Sequence, residues 1–494
     1  MGLKKVNSYD IYDTIIARTM LDPTTIFDLI EKKTQIIDFK NIRMKAQAQN
    51  GQTLDTIYHR FKIITGFSDK QIEDLKELEI QTEIENSYLI LSVSNYIEKN
   101  DILVSDMYFN ADQLGRILKA LGFKKHNKIY SSAMGKSKAD GSMYAYLLKQ
   151  YQIIFHFGDN EHSDIKMAVE NHIHGALIEV SKMNETEQFF YAKGNEKFAF
   201  QLRKFRHKNP YKLNTYDYHL YNDQVALNIP VLILLSKHLN DILIQENRDT
   251  VLFLTRDGCL IEHIFGTLYP AHKIVTFQSS RLMNLTYHDN EEYKAYVKKT
   301  YNHQTCLIFD LHGSFNTGRA MYMELFGHLP RVHLFIYDNY NKETFPGLTF
   351  NIDKRTQKNI DDTIELFNAD TIGTLVDMKH GKFIRNKLEY NLNDVKIYRN
   401  TVLQFCAYMK EQRMEARKYP PVQLLVEFYT QNKQKPHLIG FLETHAPDKV
   451  DYNVYVVPFF LLALFAVFIF RLTKQKKKYM KVMKTLWNKY IYVK

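Results

Sequence analysis

Short apolar runs alternate with longer amphipathic stretches along the first 185 residues. Lys4 to Thr14 predicts a strand running into a tight turn. From residue 22 to 98, apolar residues recur at three- and four-residue steps (Ile26, Phe27, Leu29, Ile30; Leu75, Leu78, Ile80). That is the period of helices with one buried face. Ile102-Leu103-Val104 is a short apolar run ending at Ser105-Asp106, and Gln113 to Leu121 predicts a helix stopped by Gly122. Further strands are expected at Lys128–Ser131, Ile153–Phe157 and Ala176–Val180, with helices at Met143–Tyr151 and from Ile165 to Glu170. Strands alternating with helices give a parallel sheet covered on both faces, with ligands beyond the carboxyl ends of its strands.

Gln201 to Tyr218 is polar and basic and reads as a linker or surface segment. A second alternating region follows, with strands expected at Val251–Leu254, Lys273–Phe277, Cys306–Phe309 and Val332–Ile336. Residues 355 to 445 read as mainly helical. The fold class is therefore α/β: a Rossmann-like parallel sheet in residues 1–200 with a helical insertion over about 20–98, a second α/β domain over 201–447, and an apolar, then basic, helical segment over 448–494.

Charge changes this picture in one place. The chain carries a net charge of +11, but Arg471 to Lys494 holds nine Lys or Arg and no acid, leaving about +2 on the rest. A nearly neutral body gives no reason to expect a nucleic-acid partner; the basic tail calls for an anionic one. Three widely spaced cysteines (Cys259, Cys306, Cys406) make no disulfide framework, and residues 1–7 hold no signal-like apolar run. A cytoplasmic location is the expectation.

Four polar clusters stand at strand ends or helix starts. They are Ser8-Tyr9-Asp10-Ile11-Tyr12-Asp13-Thr14; Ser105 in Val104-Ser105-Asp106; Lys138 in Ser137-Lys138-Ala139-Asp140-Gly141, with Lys136 as a competitor two residues away; and Gly158-Asp159-Asn160-Glu161-His162-Ser163-Asp164. Their order over residues 4–185 resembles the haloacid dehalogenase (HAD) superfamily of hydrolases. The first cluster is similar to a bacterial subgroup with S-[F/Y]-D-I-[F/Y]-D-T, associated with surface-polysaccharide loci. The resemblance implies Mg²⁺ as cofactor, held by Asp10, the Tyr12 backbone carbonyl, Asp159 and Asp164. It implies Asp10 as nucleophile, Ser105 as a donor to the phosphoryl group and Lys138 as its countercharge. It also makes the helical insertion a cap over the site. The implied substrate is a small phosphorylated metabolite, with a sugar- or polyol-phosphate suggested by the polysaccharide-associated relatives. One position departs from the superfamily pattern: Tyr12 stands where its phosphatases carry a second aspartate as general acid and base. A phenol with pKa near ~10 is a poor base at neutral pH. Asp13 is adjacent, but a residue three after the nucleophile need not face the same way.

The second region has its own strand-end clusters: Thr255-Arg256-Asp257-Gly258, Ser279-Ser280-Arg281 and Asp310 to Arg319. Two readings stand: ordinary strand-end turns with a buried Arg–Asp pair, or a second anionic-ligand site formed by Arg256, Asp257, Arg281 and Asp310. Near the C-terminus, Val454 to Phe470 is a run of 17 uncharged residues, slightly short of the ~20 needed to span a bilayer. Three placements are open: a helix lying on the inner membrane face with the basic tail on anionic lipid, a true span, or a buried helix. The functional expectation is a Mg²⁺-dependent phosphohydrolase or phosphotransferase. Its competitor is a HAD-fold binding or assembly module with weak turnover, anchored to a glycan-synthesis complex.

Overall fold

A computed structural model describes residues 3–47, 53–255, 258–338, 350–352, 361–388, 391–415 and 418–432. β1 (Lys4–Tyr9) runs into β2 (Ile16–Arg18), which leads into four helices: α1 (Thr25–Thr34), α2 (Phe39–Ala46), α3 (Leu54–Thr65) and α4 (Asp69–Glu85). β3 (Ser87–Leu89) returns antiparallel to β2, so entry to and exit from the helical insertion form one short ribbon. β4 (Ile102–Ser105), β5 (Lys128–Ser131), β6 (Tyr151–Gly158) and β7 (His174–Leu177) follow, and with β1 make a parallel sheet in the order β5-β4-β1-β6-β7.

The insertion starts and stops its helices with local chemistry. Thr53 and Ser68 cap α3 and α4 through reciprocal capping boxes, and Gly66 (φ 74°) ends α3 in the left-handed region that suits glycine. Its core also encloses charge. Arg43 and Glu79 are wholly buried and paired at 2.8 Å, and the Tyr58 hydroxyl donates to Glu79 at 2.8 Å. Burial of either charge alone would cost several kcal/mol (~3–5), so the pair and its hydroxyl stand or fall together.

A second sheet is formed by β8 (Thr250–Leu254), β9 (Lys273–Phe277), β10 (Cys306–Gly313), β11 (Val332–Asp338) and β12 (Phe350–Ile352), parallel throughout, in the order β12-β11-β10-β8-β9. Both sheets are flanked by helices, giving a Rossmann-like α/β architecture within one compact unit. Contacts distant in sequence tie the unit together: Asn228 and Asn368 exchange amide hydrogen bonds in a buried setting, and Phe205 packs edge-on against Phe405.

Several sequence expectations need correction. Gln201 to Tyr218 is a connecting surface segment only in its second half; its first six residues complete a core helix. The helix Glu196–Arg206 buries Leu202, Arg203, Phe205 and Arg206. Arg203 donates to the carbonyls of Ser181 and Arg18, and Arg206 to that of Val180 and to Glu187. Guanidiniums bonded to carbonyls and a carboxylate are tolerated inside, so a basic composition concealed a core helix. The helix expected over Met143–Tyr151 is Ser142–Leu147, and Tyr151 already belongs to β6. The strand expected at Ala176–Val180 lies earlier, at His174–Leu177. Within residues 355–445, β13 (Leu375–Lys379) and β14 (Lys382–Arg385) form an antiparallel hairpin. One helical stretch among the described residues, Tyr216–Gln245, is long and apolar enough to cross a membrane by length and composition, but most of it is buried inside the protein. Val454–Phe470 and the basic tail lie outside the described residues.

Candidate active site

Asp10 follows the last residue of β1. Its backbone N–H donates to Phe157 on β6 (2.8 Å), which fixes the chain at the carboxyl end of the sheet. The turn beyond is anchored from below, because Ile11, Ile15 and Ile16 are fully buried and the N–H groups of Ile15 and Ile16 both donate to the Ile11 carbonyl. Asp13 takes a left-handed backbone (φ 59°), a conformation aspartate tolerates better than most residues.

Ser105 ends β4, with its Oγ accepting the Met107 N–H at 3.2 Å. The next residue, Asp106, gathers the loop that carries Lys138. It accepts the N–H of Lys138 (2.8 Å) and of Ala139 (3.2 Å) and the Ser137 hydroxyl (3.0 Å). On β6, Gly158 precedes Asp159. The Asn160 side chain then caps a π-helical turn, Glu161–Lys166, accepting from His162 and Ser163, and the turn carries Asp164 back over the strand end. A Cβ on Gly158 would lie 2.3 Å from the Asp164 carboxyl carbon, so only glycine leaves room for that carboxylate.

These elements converge. The Lys138 ammonium sits 2.5 Å from Asp10 Oδ1 and 2.5 Å from Asp164 Oδ1, with all three residues buried. Oxygens of Asp10, Asp159 and Asp164 lie within 4.8 Å of one another. Behind them, His156 places Nε2 at 3.2 Å from Asp164 and Nδ1 at 2.8 Å from the Ser8 hydroxyl. The competitor Lys136 instead lies over the Tyr146 ring.

One ammonium cannot neutralise three carboxylates. Burial pushes the Asp10 carboxyl up to about 8 despite Lys138, with Asp164 adding repulsion. Burial, Asp13 and Asp164 push Asp159 up to about 6. Burial also works against ionisation of Asp164, but Lys138 and His156 outweigh it and hold that carboxyl below its ordinary range. Lys138 stays protonated, because its carboxylate partners overcome its own desolvation. A cluster of oxygen donors short of positive charge suits a hard divalent cation such as Mg²⁺.

The cluster floors a pocket of about 370 Å³. Ser105, Asp106 and Asn160 line it from the sheet side, and Pro23, Thr24, Phe27, Met44, Gln47 and Glu83 from the insertion. Tyr12 lines it too, but the Tyr12 hydroxyl is buried and has no hydrogen-bond partner among the described residues. Burial, then Glu83, drives its pKa well above the ordinary phenol value, so the hydroxyl keeps its proton at neutral pH and is no general base.

No family model and no curated protein matches this chain.

All five residues expected around the phosphoryl site by side chain (Asp10, Ser105, Lys138, Asp159, Asp164) line this one pocket, as does Tyr12, expected through its carbonyl. Sequence reading assigned no role to Asp106, Arg18, Glu83 or His156. Arg18 and Glu83 form a buried pair at 3.0 Å in the pocket wall, with the Arg18 guanidinium 4.2 Å from the Tyr12 ring centre. Their only sequence signal was two opposite charges flanking the insertion. Of the second cluster, Arg256 and Asp257 lie outside the described residues. Asp310 is on β10, its carboxyl pushed up to about 7 by burial, with His312, Glu365 and Arg281 all acting on it. His312 itself pairs with Glu365.

Proposed function

We propose that the first α/β region is a Mg²⁺-dependent phosphohydrolase or phosphotransferase of HAD type, with residues 20–98 as its cap, acting on a small phosphorylated metabolite. The observation that carries this reading is the convergence of Asp10, Lys138, Asp159 and Asp164 at neighbouring strand ends, with Ser105 on the same wall. Bound Mg²⁺ would be held by Asp10, Asp159, Asp164 and the Tyr12 carbonyl, and supplies the positive charge that a phosphoryl group needs beside so many carboxylates. The Lys138 ammonium neutralises the same region, and the Ser105 hydroxyl, whose oxygen accepts from Met107, keeps its proton to donate. An Asp10 carboxylate oxygen bonds to phosphorus while the ester oxygen leaves with its electron pair and takes up a proton from water. Water, or another acceptor hydroxyl, then cleaves the aspartyl-phosphate. Attachment of the basic tail to the anionic inner membrane face, and a place in surface-polysaccharide synthesis, belong to the same proposal.

A second reading, a HAD-fold binding module with weak turnover, is favoured by Tyr12, whose buried phenol is no substitute for an aspartate acid/base. Phosphate release from p-nitrophenyl phosphate with Mg²⁺ separates the two. Wild type should turn over and Asp10→Asn should not. If wild type is silent and traps no beryllium fluoride, the enzymatic reading is lost.

A further inference from the structure

The lining of the pocket is unbalanced in charge. Six carboxylates line the pocket (Asp10, Asp13, Glu83, Asp106, Asp159, Asp164) against two cations, Arg18 and Lys138. Both cations are already engaged. Lys138 bridges Asp10 and Asp164, and Arg18 is held by Glu83 through Nε and Nη2 at 3.0 Å each. One divalent cation and Lys138 together balance a phosphoryl group and the three clustered carboxylates only in part. Asp13 and Glu83 then remain with Arg18 alone, since Asp106 is spent on backbone N–H groups and a hydroxyl. A second anionic group on the ligand would enter a field of like charge, which costs affinity.

What the wall does offer is neutral. Thr24, Gln47 and Ser163 present polar groups, and Phe27, Met44 and Tyr108 present apolar faces. The Arg18–Glu83 pair can give and accept hydrogen bonds without adding net charge. At about 370 Å³ the pocket is at the lower end of the range for small-molecule sites.

We propose that this wall selects monophosphate esters whose remaining part is uncharged and hydroxyl-bearing, and that Glu83, by neutralising Arg18, is the residue that excludes a second anion. This rests on the phosphoryl-site reading above and adds the residue that sets its selectivity. The test compares glycerol 1-phosphate with 3-phosphoglycerate, which replaces a hydroxymethyl group by a carboxylate. Affinities are measured on the full-length Asp10→Asn protein with Mg²⁺, so that selectivity is read without turnover. Glycerol 1-phosphate should bind at least about tenfold more tightly. Adding Glu83→Gln, which is isosteric and still accepts from Arg18, should reduce that ratio about tenfold or reverse it. Because Glu83 is buried and its variant can fail to fold, Asp13→Asn serves as the second variant. Asparagine keeps the left-handed turn and removes one wall charge, and the ratio should fall there too. Equal or tighter binding of 3-phosphoglycerate to the Asp10→Asn protein overturns the proposal. So does a ratio that no folded variant moves. Selectivity in binding, with neither wild-type hydrolysis of p-nitrophenyl phosphate nor trapping of beryllium fluoride, would sink the enzymatic reading and leave this one standing.

Discussion

Asp106 accepts the backbone N–H of Lys138 at 2.8 Å, and so a residue at the end of one strand sets where the ammonium from another loop points. Two more donors from the same loop, Ser137 Oγ and Ala139 N–H, make the grip multidentate. Groups that orient a charged site residue typically matter by about 10- to 100-fold. Asp106→Ala should therefore lower kcat for p-nitrophenyl phosphate by about that factor with the fold intact. Asp106→Asn should recover part of it, since the amide oxygen still accepts one N–H. Equal kcat in all three proteins would show that the loop holds itself.

Lys138 also bears on stability. Lys138→Met leaves Asp10 and Asp164 buried without their shared partner, a change of the kind that costs about 3–5 kcal/mol. Mg²⁺ should offset much of that loss, because it supplies charge to the same oxygens. In wild type, Mg²⁺ at a hundred times its Kd should raise stability by about 2.7 kcal/mol, and chelation should reverse it. Asp159→Asn should shrink the Mg²⁺-dependent rise in Tm. Thermal melts with and without the ion read all three outcomes, and a Tm indifferent to Mg²⁺ would remove the ion from this site.

The parts of this fold that were legible in sequence are those where burial is two-sided. β4 and β8 are buried along their whole length and therefore read as unbroken apolar runs. Asp10, Ser105, Lys138 and Asp159 were legible because each stands at a strand end or in the loop behind it, where parallel sheets present chemistry. The helix Glu196–Arg206 was not legible, because Arg203 and Arg206 are inside, where carbonyls, Glu187 and the Tyr88 hydroxyl make their charge tolerable. The same reason hid Arg18 and Glu83: a sequence shows charges, not which of them are desolvated together. The β13–β14 hairpin did leave a signal. His380 (φ 52°) and Gly381 (φ 70°) form a two-residue turn of the kind that pairs a tolerant residue with glycine.

The helical insertion holds a buried charge pair whose worth can be measured. Arg43 donates to both oxygens of Glu79, and Phe27, Tyr58 and Tyr108 ring its guanidinium at 4.7 to 5.4 Å. Arg43→Met alone should lower stability by about 3–5 kcal/mol in urea titrations, because Glu79 is left unpaired. The double variant Arg43→Met/Glu79→Leu should regain most of it. Tyr108 belongs to the loop after β4, and its carbonyl accepts the Leu54 N–H at 3.0 Å. Loosening this cluster should therefore also raise KM, through the insertion residues that line the pocket. A double variant no more stable than the single one would mean the polar network is worth more than the packing that replaces it.

His333 gives the second sheet a pH dependence of known sign. It lies on β11, buried, with its ring 4.9 Å from that of His238 and Nε2 without a partner among the described residues. Burial, then His238 and Arg331, lower its pKa from 6.5 to about 3. The unfolded chain therefore binds a proton that the folded one refuses. Stabilisation tied to the neutral ring is complete above pH 6.5 and is lost as the pH falls from there towards 3, by at most about 1.4 kcal/mol per pH unit for one proton. His333→Leu removes both the titration and an unpaired nitrogen. Its Tm should exceed that of wild type by a margin that widens from pH 8 to pH 5. The two melting curves shifting in parallel over that range would mean that the ring is protonated in the fold, and that the strand accommodates its charge.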